Sequence, residues 1–201
     1  MKRAFDIILT LLLLTVTWPI ILAIMIVMLW REGGPVLYVA ERMKTPEQPF
    51  NLIKFRTMSH APEDQNTGVT GGDKASRITP IGRKLRRYRL DELPQLINVL
   101  RGDMSFVGPR PPLRQYTEKF PDLYGQVLRS RPGVTGLATL HYHRHEERLI
   151  ASATTAEETE TIYATRCVPR KAKLDLIYQR HASVCFDIAI LWQTLAKVLG
   201  R

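Results

Sequence analysis

Apolar positions are distributed along this chain in three ways. The first is an unbroken run. Ile7 to Trp30, IILTLLLLTVTWPIILAIMIVMLW, carries no charged side chain over 24 residues. As a straight helix it reaches roughly 36 Å, enough to cross a hydrocarbon core. It is too long for a secretory leader, and the following WREGG offers no small-x-small cleavage pattern, so the run predicts a retained anchor. Pro19 stands near its middle, where it removes one helical hydrogen bond and leaves halves of about 17 Å. Lys2, Arg3 and Arg31 put positive charge at both flanks, and positive flanks prefer the cytoplasm. A helix that enters, bends at Pro19 and returns satisfies both flanks. A kinked spanning helix is the alternative, and the apolar pattern leaves the two open.

The second pattern is short clusters, and the third is helical spacing. PVLYV and FNLIKF, separated by TPEQP, predict two strands within residues 33–58. Residues 59–76 are polar and Gly-rich and predict a surface loop. Thr79-Pro80 is an N-cap followed by proline at the first helical position. Ile81, Leu85, Leu93, Leu96 and Leu100 follow at roughly helical spacing, Gly102 closes the helix, and Pro94 predicts a bend or restart within it. Near the C-terminus Ile188, Leu191, Trp192, Leu195, Val198 and Leu199 share one helical face, which suits core packing or a membrane interface.

Charge narrows the partners. The net charge of +10 implies an anionic one: nucleic acid, anionic lipid or a phosphorylated substrate. No helix-turn-helix, zinc or RNA-binding signature accompanies the charge, and no GxxxxGK[ST] loop is present. The two cysteines, Cys167 and Cys185, suggest neither a disulfide framework nor a zinc site and read as reduced, structural thiols.

The stretch RRYRLDELPQL carries the candidate chemistry. Asp91 and Glu92 stand between the cations Arg86, Arg87 and Arg89 and the helix-breaking Pro94. Neighbouring helical residues point about 100° apart, so the two acids need not share one role. A helix restarted after Pro94 presents a positive end that favours phosphate, and carboxylate oxygens suit Mg²⁺. The set suits a diphosphate–metal complex; a surface helix with compensating charges is the alternative.

The chain resembles the bacterial sugar transferases, the small monotopic phosphoglycosyl transferases. DELPQLINVLRGDMSFVGPRP is similar to their signature, and other blocks follow in family order: KRAFDI at 2–7, Gly34-Pro35-Val36, Glu41-Arg42, Lys54 to Met58, Arg77-Ile78-Thr79, Arg131 to Gly136 and Lys171 to Tyr178. The resemblance implies transfer of a phospho-sugar from a UDP-sugar to polyprenol (undecaprenyl) phosphate with release of UMP, early in glycoconjugate synthesis such as exopolysaccharide or lipopolysaccharide. It implies an α/β fold: a re-entrant anchor over 1–31, broken at Pro19, and a small cytoplasmic domain over 32–201 with interfacial amphipathic helices. The location implied is the cytoplasmic face of a bacterial inner membrane, monotopic, with membrane lipids and downstream glycosyltransferases as partners and no nucleic acid. The rival reading is a membrane-anchored lipid- or nucleic-acid-binding scaffold without catalysis, for which Asp91 is dispensable.

The resemblance also assigns roles. Asp91 matches the family nucleophile and a Mg²⁺ ligand, and Glu92 an assistant that positions metal or takes a proton. Arg86, Arg110 in Pro109-Arg110-Pro111, and Arg131 match positions that hold the nucleotide phosphates or uridine, with the prolines stiffening the loop. Asp175 matches a supporting acid, while Lys54 and Arg56 suit either function or structural ion pairing. Two places depart from the family. Trp18 stands where serine usually precedes the anchor proline, and the segment after Gly136 is longer than usual. In that segment His141, His143 and His145 alternate, a spacing that lets them share one face of a strand, with surface histidines on a strand or loop rather than a zinc site as the reading. The segment's contacts and the oligomeric state are left open by the sequence.

Overall fold

The computed structural model describes residues 1–59 and 72–200, so most of the loop predicted over 59–76 lies outside the described residues. Helix α1 spans Lys2–Glu32 and runs on through Pro19. The proline costs one hydrogen bond, and just before it Thr15 and Thr17 donate their hydroxyls back to the carbonyls of Leu12 and Leu13, each at 2.7 Å. One flank of α1 packs on the domain, while Leu11, Leu12, Val16, Trp18 and Leu22 are exposed.

Both ends of α1 are tied down. Lys2 Nζ donates to the Asp187 carboxylate, to Tyr178 Oη at 3.0 Å and to the Val107 carbonyl at 3.1 Å. Ser105 Oγ donates to Asp6 Oδ1 at 3.0 Å. At the other end the Arg56 guanidinium donates to the carbonyls of Glu32, Gly33 and Gly34 at 3.1–3.3 Å.

The two predicted strands form an antiparallel hairpin, β1 (Leu37–Met43) and β2 (Pro49–Phe55), in register from Leu37↔Phe55 to Met43↔Pro49. A second, parallel pair was not predicted: β3 (Ser105–Val107) and β4 (Gly133–Thr135), each three residues long. Strands this short carry too little alternation to read from sequence. A Cβ at Gly108 would collide with the Arg131 carbonyl, and one at Gly136 with the Gly108 carbonyl, so only glycine lets these chains meet.

The predicted helix over 79–102 divides earlier than its proline suggests. Thr79 caps α2 (Pro80–Arg87), accepting from Gly82 N at 2.9 Å. The chain leaves the helix at Tyr88, Arg89 is left-handed with φ 59°, and Leu90–Glu92 form a 3₁₀ turn before α3 (Gln95–Arg101). Gly102, at φ 84°, caps α3, and Arg3 donates to the carbonyls of Val99 and Leu100 at 2.5 and 2.7 Å. Two short helices follow, α4 (Arg114–Lys119) and α5 (Pro121–Val127).

The histidine segment is a helix, not the expected strand or loop. Helix α6 (Leu137–Ala151) contains neither glycine nor proline, and Ala138, Tyr142, Glu146 and Ile150 recur every fourth residue on its inward side. Histidines two apart on a helix point about 200° apart, so His143 faces away from His141 and His145. Helix α7 (Ala156–Ile162) passes through a π-turn, Tyr163–Cys167, into α8 (Val168–His181). Pro169 lies at the start of α8, where its missing N–H explains the widened turn. Helix α9 (Val184–Leu199) closes the fold; Ile188, Trp192, Leu195 and Leu199 are exposed on one side, and Asp187 and Ile190 are buried on the other.

Three apolar clusters hold these elements. The largest joins Met43, Tyr116, Val127, Cys167 and Val168; a second joins Leu96, Val99, Phe106 and Tyr178; the third seats Met28 of α1 against Val36, Phe55 and Leu85. Each fully buried large side chain contributes about 1.5–3 kcal/mol. Cys167 belongs to the first cluster, Cys185 is exposed, and both are free thiols.

Candidate active site

The acid pair lies in the 3₁₀ turn, on the floor of a cleft of about 280 Å³. Cations crowd it: Arg42 from β1, Lys54 from β2, Arg86 from α2, then Arg89, Arg110 and, from α8, Lys171. Pro111, Tyr116, Tyr163 and the α6 residues Thr139, His143, Glu146 and Glu147 complete the wall.

Asp91 and Glu92 are each 8% exposed, yet their surroundings differ. Glu92 is locked: Oε2 accepts from Arg89 Nη2 at 2.8 Å and Oε1 from Arg110 Nη2 at 3.1 Å. Against the effect of burial, Arg110 and Arg89 hold its carboxyl below the usual range. Asp91 has no hydrogen-bond partner among the described residues. Burial, then the neighbouring Glu92, raises its carboxyl, opposed by Arg89, Lys54 and Arg86. The left-handed residue Arg89 reverses the chain so that one acid is tethered and the other left open. Lys54 is lowered to about 8 by burial and by repulsion from Arg42, Arg110 and Arg86.

Arg86 is aimed by its Nε, which donates to Thr57 Oγ1 at 2.8 Å. Pro109 stands outside the cleft wall and fixes the loop instead, its carbonyl accepting from Gly133 N at 2.8 Å. Behind the cleft, Lys171 Nζ donates to Glu146 Oε1 at 2.9 Å and to Tyr163 Oη at 3.1 Å. Asp175, one turn further along α8, is 6% exposed with Oδ1 unpaired, and burial pushes its carboxyl up to about 7.

Of the residues singled out in the sequence, the cleft gathers Asp91, Glu92, Arg86, Arg110, Pro111 and Lys54. Asp175 lies behind Lys171. Arg131 is half-buried with its carbonyl against Gly108, and Arg56 holds the end of α1; neither lines the cleft. Sequence reasoning missed Arg42, Glu146, Tyr163 and Lys171 as wall residues. Arg42 and Lys171 stood in the quoted family blocks, whereas Glu146 was hidden by the strand reading of α6.

The donor set bears on a metal. Among the described residues no group of three or more His, Cys, Asp or Glu side chains gathers as a metal cage. One open carboxylate in a cleft rich in phosphate-binding cations fits Mg²⁺, which is commonly held by one or two carboxylates plus substrate phosphates.

Comparison with known proteins extends over the whole chain. The sequence is 37% identical over 201 residues to the UDP-glucose:undecaprenyl-phosphate glucose-1-phosphate transferase of Escherichia coli (strain K12), covering 98% of this chain and 40% of that protein. It is 32% identical over 212 residues to the exopolysaccharide production protein ExoY of Sinorhizobium fredii (strain NBRC 101917 / NGR234), covering 98% and 84%. It is 35% identical over 199 residues to the uncharacterized sugar transferase EpsL of Bacillus subtilis (strain 168), covering 99% and 87%. The chain thus spans less than half of the first relative and most of the other two. With the family model matching residues 1–201, the chain belongs to the bacterial sugar transferase family.

Proposed function

We propose that this protein moves a sugar phosphate from a UDP-sugar to undecaprenyl phosphate through a covalent aspartyl intermediate. The observation that carries the reading is the unequal acid pair: Glu92 tethered by Arg89 and Arg110, and Asp91 without a hydrogen-bond partner among the described residues in a cleft lined by six cations. Relatives named for the transfer of glucose phosphate or galactose phosphate to undecaprenyl phosphate support the substrate classes.

An Asp91 carboxylate oxygen attacks the β-phosphorus of the UDP-sugar. The bond from that phosphorus to the oxygen bridging it to the α-phosphate breaks, and UMP leaves with the electron pair. A phosphate oxygen of the acceptor then attacks the aspartyl phosphorus and restores the carboxylate. Two displacements replace one direct encounter between anions. Arg86, Lys54, Arg42 and Arg110 offset the charge of the phosphates, the arginines by bidentate bonds. Glu92 fixes Arg110 and Arg89. Mg²⁺ held by Asp91 and the substrate phosphates supplies further charge neutralisation when bound.

The proposed location is the cytoplasmic face of the inner membrane, with α1 entering and leaving on one side. A spanning helix separates its ends by a bilayer, whereas one domain holds both Lys2 and Glu32. Both flanks also carry cations.

Intact-mass analysis after mixing with a UDP-sugar alone tests the mechanism. Up to one equivalent of UMP is released, and the mass of a phospho-sugar is added to the Asp91 peptide. Asp91→Asn shows neither. Normal turnover with acceptor but no adduct refutes the covalent route.

A further inference from the structure

A second, smaller cavity of about 90 Å³ opens between α6 and α9. It shares Arg89, Thr139 and His143 with the cleft, so the two adjoin. Its remaining polar wall is Arg144, Thr194 and Lys197 among others, and no carboxylate among the described residues lines it. The cleft, by contrast, carries four acids: Asp91, Glu92, Glu146 and Glu147. Much of its wall is apolar, with Leu140 and Val198 beside the side-chain carbons of its polar residues, and the full charges on it, Arg89, Arg144 and Lys197, are all positive, so it suits an anion carried on an apolar group. Its size suits a few water molecules or one phosphoryl group, not a nucleotide.

The parts are aimed. Lys197 Nζ is anchored on the Leu140 carbonyl at 2.6 Å, while the Thr194 hydroxyl donates to the Ile190 carbonyl at 2.8 Å and accepts from Thr135 Oγ1 at 3.0 Å, which leaves the cations as the cavity's donors to an anion. Arg89 donates to Glu92 through one nitrogen, and a guanidinium offers five N–H groups, so donors remain on its other side. Helix α9 sets the depth. Its exposed side of Ile188, Trp192, Leu195 and Leu199 seats the helix in a membrane interface, with Trp192 71% exposed. Thr194 and Lys197 lie on the opposite flank of the same helix. A helix is about 10 Å across, so the cavity sits at headgroup depth, where the phosphate of a lipid stands.

We infer that this cavity receives the phosphate of the lipid acceptor, a phosphomonoester at the end of an apolar chain, before it meets the intermediate on Asp91; the inference rests on the transferase reading. Arg89 forms a common wall and passes the incoming phosphate from one cavity to the other. The cavity leaves the donor's nucleotide undisturbed in the neighbouring cleft.

The test uses the full chain in detergent, with Arg144→Ala, Lys197→Met and the double variant. Both residues are exposed, so matching melting curves establish folding, and Arg144→Lys supplies the conservative control. Binding of a short-chain polyprenyl phosphate is measured without UDP-sugar. Losing charge-assisted bonds lowers it about tenfold or more in the double variant. The acceptor KM rises in parallel, the donor KM stays within about twofold, and Arg144→Lys restores part of the loss. Unchanged acceptor binding overturns the inference. An equal loss of binding to phosphatidylglycerol vesicles also overturns it, assigning the cavity to bulk anionic lipid. Displacement by equimolar inorganic phosphate overturns it as well, assigning a free-phosphate site. Variant-sensitive acceptor binding in a protein that turns over no UDP-sugar refutes the transferase reading and leaves the cavity's ligand standing.

Discussion

Replacing Asp175 by asparagine should stabilise this protein above neutral pH. The carboxyl is 6% exposed, Oδ1 has no partner, and burial lifts its pKa from an ordinary 3.8 to about 7, with Lys171 opposing. Below pH 3.8 the folded and unfolded chains both hold the proton, and the acid costs nothing extra. Between 3.8 and about 7 the unfolded chain releases it while the folded chain keeps it, so stability falls as pH rises. Above about 7 the full penalty persists. A shift of about three units corresponds to roughly 4 kcal/mol. This figure is already net of the attraction to Lys171, and the buried amide NH₂ offsets part of it; a gain of about 2–4 kcal/mol is expected. For a chain of this size that raises Tm by about 5–15 °C. Melting curves from pH 4 to 8 should therefore converge at the acid end and separate toward pH 8, with Asp175→Asn the more stable. Parallel curves for the two proteins would refute the reasoning, since Asp175 would then titrate as an ordinary carboxyl. Turnover reads the second half of the argument. A stabilised variant with reduced kcat marks Asp175 as a strained supporting group of the site, and undiminished kcat removes it from the site.

Three other outcomes are expected. Glu92→Gln should lose about 10²–10⁴-fold in turnover while still accepting a phospho-sugar on Asp91, a pattern read by steady-state rates and intact mass together. Lys54 carries its charge below about pH 8 in the free protein, so the donor KM should climb above that pH, and Lys54→Met should flatten this limb while raising KM at pH 7. Excess chelator should stop turnover, Mg²⁺ should restore it better than Zn²⁺, and His141→Ala with His143→Ala should leave that dependence intact.

Much of the site was legible because it is local. Arg86 to Pro94 put cations, acids and a helix breaker within one stretch, and the Pro-Arg-Pro loop declared its stiffness in its composition. The long apolar helix α1 and the hairpin were legible for the same reason, since each is set by its own run of apolar positions. What escaped depended on distant chain segments. Glu146 becomes a wall residue only when Lys171, 25 residues later, draws it in. The strands β3 and β4 exist only as a pair, and glycine at 108 and 136 permits their loops to touch. Alternating histidines in α6 imitated a strand because polar residues on an exposed helix face are free to fall at any spacing. Arg56 suited either function or structural pairing from sequence, and the carbonyls it serves lie at and just after the end of α1.

The bond between Lys2 and Asp187 joins residues 185 apart, and it has a consequence for biogenesis. A ribosome adds about 5–20 residues per second, so about 10–40 s pass between the two. Throughout that interval the apolar helix is already available to the bilayer, while Lys2, Arg3 and Asp6 at its end await the segments that will satisfy them. On the proposed membrane reading, α1 reaches the bilayer as a provisional insertion, and its final pose is sealed only when α9 arrives. Slowing synthesis between α1 and α9 should prolong this open interval and expose Lys2 to Asp6 to proteolysis, even though neither α1 nor α9 is changed in sequence.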